Sequence, residues 1–126
     1  MSKSVVYSDQ APEPIGPYSQ AIQAGNMLFV SGQIAIQKSS GKIINSTIEQ
    51  ETGQVMTNLG EVLKAAGMNY SNVVKCSIFL RDMNHFPLVN DVYGQYFDDI
   101  PPARETVEVS RLPKDVNVEI SCIAVA

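Results

Sequence analysis

Histidine occurs once in this chain and cysteine twice, and its nine basic residues never cluster. These scarcities exclude several chemistries. His85 and two cysteines set in apolar strand patterns supply no ligand set of the kind metal sites need, so no metal site is expected. Ser31 precedes Gly32 but stands in no G-x-S-x-G elbow, and no second histidine exists to activate it, which removes a serine-hydrolase reading. Neither a Walker loop nor a dinucleotide-binding glycine motif is present. Cys76 and Cys122 form no C-x-x-C pair and read as buried thiols in a reducing compartment. A formal net charge of −4 without a basic cluster disfavours phosphate-driven binding of nucleic acid. No apolar run approaches the ~18 residues of a membrane span, and the N-terminus lacks a signal-peptide core, so the cytosol is the expected compartment.

What is present describes an ordinary globular chain. With 126 residues, 44% hydrophobic and 17% charged, it is expected to form one domain over residues 1–126. Residues 9–17 are a Pro-rich, extended lead-in. Ser19 to Ala24 and Met27 to Ala35 read as strands joined by a Gly25-Asn26 turn, and Gly32 inside the second marks a bulge or a close approach to the backbone. Ser46-Thr47-Ile48-Glu49-Gln50 offers two capping boxes, Ser46 with Glu49 or Thr47 with Gln50. Ile48, Val55, Met56, Leu59, Val62, Leu63 and Ala66 follow on one helical stripe, which Gly67 ends. Val73 to Leu80 is a strand, its start expected to be buried on both faces. A second helix begins near Asn84 with the stripe Phe86, Val89, Asn90, Tyr93, Tyr96 and Phe97. The order is β-β-α-β-α-β-β, with a further short strand near Val5-Val6 or Ile43-Ile44. The class is α+β: a mixed sheet with both helices packed on one face and the other face left to water or a neighbouring subunit.

The last quarter carries the candidate chemistry. Arg104 to Ser110 and Val116 to Cys122 both alternate polar with apolar residues around Leu112-Pro113-Lys114-Asp115. Paired as a hairpin in the register that matches polar with polar, they place Arg104 and Glu119 on one face, with Val107, Val109, Val116, Val118, Ile120 and Cys122 on the core side. A guanidinium and a carboxylate on one face could bind and act on a small carboxylate substrate, but a wetted face of an antiparallel sheet gives the same pattern. Asn90 sits mid-helix on an apolar stripe, where its amide needs either a structural hydrogen bond or a substrate. Tyr18 follows the rigid Ile15-Gly16-Pro17 turn, and its hydroxyl needs a partner even if the ring is core.

The motifs Ile15-Gly16-Pro17-Tyr18-Ser19-Gln20-Ala21, Phe29-Val30-Ser31-Gly32-Gln33-Ile34, Pro102-Ala103-Arg104 and Leu112 to Ile120 appear in one order along the chain. In this the chain resembles the Rid family, the YjgF-type reactive intermediate deaminases also labelled L-PSP endoribonucleases or translation inhibitors. The resemblance implies a chorismate-mutase-like α+β fold and a homotrimer with clefts between subunits. It further implies hydrolysis of small 2-imino acids, by-products of pyridoxal-phosphate dehydratases, without a cofactor. By the same resemblance Arg104 clamps the substrate carboxylate, and Glu119 directs the water and shuttles its proton. Tyr18, Ser31, Gly32 and Asn90 line the cleft, and backbone near Gly32 and Thr106 holds the imine end. Two positions depart from the family pattern: Glu105 stands where a small residue is usual, and Thr106 where many deaminating members carry cysteine. Alternation puts Glu105 on the face opposite Arg104.

Two rival readings follow from the same residues. One is an endoribonuclease acting on single-stranded RNA, opposed by the acidic balance and the single histidine. The other is a non-catalytic small-carboxylate-binding protein or chaperone using the same cleft.

Overall fold

Helix α1 (Ile48–Ala65) shows how local sequence sets an element. Of the two possible caps Thr47 is the one used: its Oγ1 accepts the Gln50 N–H at 3.1 Å. The far end closes as a Schellman motif, with Gly67 at φ +73° and the N–H groups of Gly67 and Met68 donating to Lys64 O and Leu63 O, each at 2.9 Å. The stripe between buries Val55, Met56, Leu59, Val62 and Leu63, each contributing about 1.5–3 kcal/mol of burial. Gly60 lies where Tyr70 crosses the helix and donates to Met56 O at 2.7 Å. A Cβ at position 60 would run into Tyr70 Oη. Gly60→Ala is therefore expected to destabilise by roughly 1–3 kcal/mol despite alanine's better helix propensity. A denaturant midpoint at or above wild type would show that Tyr70 swings away freely.

The computed structural model describes residues 2–126. Its strands are β1 (Lys3–Val6), β2 (Ala21–Ala24), β3 (Met27–Gln33), β4 (Val73–Leu80), β5 (Ala103–Glu108) and β6 (Val118–Val125), in the sheet order β1-β2-β3-β6-β4-β5. Helix α2 (Phe86–Tyr93) follows a 3-10 turn over Met83–His85, capped by Asp82. The extra strand at Val5-Val6 is present, whereas Ile43 makes only an isolated bridge to Ile36. Gly25 turns the β2–β3 hairpin at φ +61°. A bulge in β3 sets Ser31 and Gly32 against Ser121 alone, as the glycine inside that strand suggested. No helix among the described residues is long and apolar enough to cross a membrane.

The C-terminal hairpin does not form. β5 pairs with β4 in parallel, and β6 inserts between β3 and β4, antiparallel to both. The β4–α2–β5 crossover is a βαβ unit, and it carries β5 to the outer edge. β6, whose Val118, Ile120, Cys122 and Ala124 are all buried, takes a central place where both its edges are bonded. The alternation within each strand was legible, but the relative sense of the two strands was not. Arg104, Thr106 and Glu108 share the helix-side face with Cys76, Ile78 and Leu80, whereas Glu119 faces the open side with Phe79. Val107 is accordingly not core but 42% exposed on the open face. Val109 belongs to a small separate cluster with Ile34, Leu112 and Val116. At the start of β4 only Val73 is buried, because an irregularity there leaves Val74 exposed. Glu105 does lie opposite Arg104: on the open face it accepts from Ser77 Oγ and pairs with Lys75 Nζ at 2.9 Å.

Candidate active site

Arg104 enters from the edge strand and lies half-buried beneath α2. Phe86, Asn90 and Tyr93, spaced i, i+4 and i+7 on α2, project toward it. The guanidinium donates from Nη1 to Asn90 Oδ1 at 2.7 Å, and its Cζ stands 5.4 Å from the Phe86 ring centroid and 5.1 Å from that of Tyr93. No carboxylate among the described residues pairs with it. Two buried hydroxyls in this region, Tyr93 Oη and Thr106 Oγ1, also lack a partner. Burial first, and then the nearby Cys76 thiol, raises the Tyr93 phenol above its ordinary value.

The edge itself adds backbone donors. Val109 N–H donates to Leu80 O at 2.8 Å, so the backbone groups of residues 105 and 107 also turn toward β4. Those of Arg104 and Thr106 turn outward, and among the described residues no strand pairs with that side. A fork-shaped cation with adjacent free N–H groups is suited to a small planar anion.

The second group of predicted residues gathers on the open side. Tyr18, Gly32, Pro113 and Glu119 line a narrow cleft of about 40 Å³, together with the Pro12–Ile15 lead-in. Tyr18 is fixed by its own turn: its N–H donates to Gly16 O at 2.9 Å, and its hydroxyl accepts from Ile15 N–H at 3.2 Å. Ser31 is a tether, with Oγ donating to Ser19 O at 2.6 Å and N–H to Gln20 O at 2.9 Å. The Glu119 side chain lies across Gly32, close enough that a Cβ there would sit 2.8 Å from both its Cδ and Oε2. Burial alone raises the Glu119 carboxyl above the ordinary carboxylate value.

That shift has a consequence for stability. Below the unfolded-state value the carboxyl is protonated in both states and nothing is lost. As pH rises through the interval up to the raised folded value, ionisation favours the unfolded chain and stability falls. Glu119→Gln is thus expected to melt above wild type at neutral pH and level with it below about pH 4. Melting curves across that range check this, and a lower neutral melting point for the variant would overturn it.

Arg104, Asn90 and Thr106 therefore form one group, and Tyr18, Gly32 and Glu119 another, on opposite sides of the same sheet, while Ser31 does not line the cleft and ties β3 to Ser19. Sequence reading missed the aromatic seat of Arg104, although Phe86 and Tyr93 shared a stripe with Asn90. It also missed Gln20, whose buried amide accepts from Ser8 N–H at 2.6 Å and donates to Pro12 O at 3.0 Å, holding the lead-in that walls the cleft. His85 lies at the start of α2 with a buried, unpartnered Nδ1. Among the described residues, no three His, Cys, Asp or Glu side chains converge on a metal position.

A family profile described as endoribonuclease L-PSP matches residues 8–126. A RutC family protein of Pyrococcus horikoshii is 51% identical over 122 residues, covering 97% of each chain. The chain belongs to the Rid family. Within the Rid family, a bovine protein named 2-iminobutanoate/2-iminopropanoate deaminase is 44% identical over 123 residues, covering 98% of this chain and 90% of its own. The solved structure of a Rid protein from Yersinia pestis superposes with a TM-score of 0.96 at 46% identity, covering 99% of this chain and all of that one. The α+β architecture of six mixed strands and two helices is thus the Rid fold.

Proposed function

We propose that this Rid protein is a cytosolic hydrolase that converts 2-iminobutanoate and 2-iminopropanoate to their 2-oxo acids and ammonia, without a cofactor. The observation that carries this reading is the seat of Arg104: a guanidinium held by Asn90, stacked on two aromatic rings and left without a carboxylate. A substrate carboxylate would take the bidentate place that no carboxylate among the described residues fills. The outward N–H groups of the β5 edge lie beside it for the imine end. Water adds to C2 of the imine, forming a C–O bond and a carbinolamine. Glu119 accepts one proton of the water and passes it to nitrogen as the carbinolamine forms. It then takes the carbinolamine hydroxyl's proton and delivers it to the amine as the C–N bond breaks, releasing ammonia and the oxo acid. A half-buried carboxyl with a raised pKa suits both halves of that transfer.

One chain cannot assemble this site, because its Arg104 and Glu119 face opposite sides of the sheet. The reading therefore includes a homotrimer in which the Arg104 edge of one copy meets the Glu119 cleft of the next. Phe29 and Val107, each 42% exposed on the open face, are apolar surface for such packing.

The test generates 2-iminobutanoate in situ with a threonine dehydratase and traps unreacted imine as its semicarbazone. Wild-type protein should suppress the trapped product relative to a protein-free blank. A folded wild type that matches the blank would end the deaminase reading and turn the search to RNA and to small-carboxylate binding.

A further inference from the structure

Glu51 lies near the start of α1 and is wholly buried. Glutamate is almost never fully buried unless paired, and no cation among the described residues pairs with this one. Its carboxylate instead gathers three N–H groups from a segment 66 and 67 residues away. Oε2 accepts from the backbone N–H of Asn117 at 2.7 Å and of Val118 at 3.0 Å, and Oε1 accepts from Asn117 Nδ2 at 2.8 Å. The residue after these donors is Glu119.

The loop they anchor is also held by the Arg111–Asp115 ion pair at 2.7 Å and by the buried Leu112 and Val116, and it carries backbone strain. Lys114 and Asp115 both adopt left-handed backbone, at φ 55° and 56°, which non-glycine residues rarely take. Pro113, beside them, forms a wall of the Glu119 cleft. On the other side Arg81 N–H donates to Asn117 O at 3.1 Å, and Arg81 Nη1 to Asp115 O at 3.2 Å. β6 thus begins from a strained turn clamped between Arg81 and Glu51. Beyond the clamp the Glu119 side chain must settle over Gly32 without a Cβ to spare.

We propose that Glu51 is a positioning residue for Glu119, acting through the start of β6 to fix where that carboxylate sits. This inference rests on the role given above to Glu119. The other titratable groups lining the cleft are Glu13 and Tyr18, both on the lead-in side and neither touched by Glu51.

The test uses Glu51→Gln and Asn117→Ala, with rates expressed per folded protein. In Glu51→Gln an amide NH₂ replaces one of the two acceptor oxygens, so at least one donor loses its partner. Asn117→Ala removes only the side-chain bond. For Glu51→Gln, kcat should fall about tenfold or more while KM stays within about twofold, since the Arg104 clamp is untouched. The acid limb of the rate profile, and the titration of the Glu119 carboxyl followed by carbon NMR, should both move down toward the ordinary carboxylate value. Asn117→Ala should move all three the same way by less. Melting points that fall while kcat, acid limb and Glu119 titration stay fixed would reduce Glu51 to a structural tether and overturn the proposal. If Glu51→Gln does not fold, Asn117→Ala decides the matter alone. If the wild type hydrolyses no imine, the deaminase reading fails by that result, and the NMR titration still decides whether Glu51 positions Glu119.

Discussion

Arg104→Ala is expected to fold and to lose about 10²–10³ of the imine hydrolysis rate, the size of a transition-state electrostatic contact removed. The fold should survive because the side chain is half-buried on an edge strand and its lost partners are one amide oxygen and two ring faces. Asn90, relieved of its partner, lies on a half-buried helix face within reach of water. Activity should not survive, since Arg104 is the cation seated by Asn90, Phe86 and Tyr93 to take the substrate carboxylate in the proposed reaction. Near-normal turnover by the variant in the semicarbazone assay would sink the assignment.

The same variant also tests where the site is built. On the proposed homotrimer, the Arg104→Ala and Glu119→Ala variants should each be weak alone yet recover activity when mixed. If each cleft takes Arg104 from one copy and Glu119 from the next, random one-to-one mixing leaves about a quarter of the clefts intact. A site built within one chain would gain nothing from mixing, and a flat result would remove the composite arrangement.

Gly32→Ala has the second largest expected effect. The added Cβ would lie 2.8 Å from Glu119 Cδ and Oε2, and those atoms are the free end of a flexible side chain. The protein can therefore accommodate the methyl group by moving the carboxylate rather than the sheet. Position 32 has no left-handed backbone requirement, so strain does not add to the effect. The expected outcome is a melting point close to wild type with a rate lower by about 10–10², because displacement of a catalytic group by about an ångström costs that much. Unchanged turnover would mean that Glu119 works from a different rotamer. A collapse in melting point would mean that the bulge, not the carboxylate, yields.

Much of the architecture was legible because it rests on local physics. Thr47 caps α1 because its hydroxyl meets the Gln50 N–H, Gly67 closes the helix in left-handed backbone, and Gly25 turns the first hairpin. The bulge at Ser31-Gly32 followed from a glycine inside a strand pattern. Each of these spans only a few residues. Glu51 was not legible in the same way. It stands in a helix among other polar residues, and its burial exists only once β6 starts beneath it.

The division is clearest at Arg104 and Glu119. By itself the sequence determined that Arg104, Thr106 and Glu108 share one side of their strand, and that Glu119 and Ser121 share one side of theirs, because side chains alternate with a period of two. It also put Glu105 opposite Arg104. Only the tertiary structure decided which side of the sheet each row faces. That choice depends on which strand is the neighbour, and pairing between segments separated by a crossover leaves no mark in local periodicity. Placing β5 at the edge in parallel and β6 at the centre in antiparallel turned one row toward the helices and the other toward open surface. The two groups that the pattern had joined on one face thus lie on opposite sides of the sheet, because strand order rather than local alternation sets which way each row points.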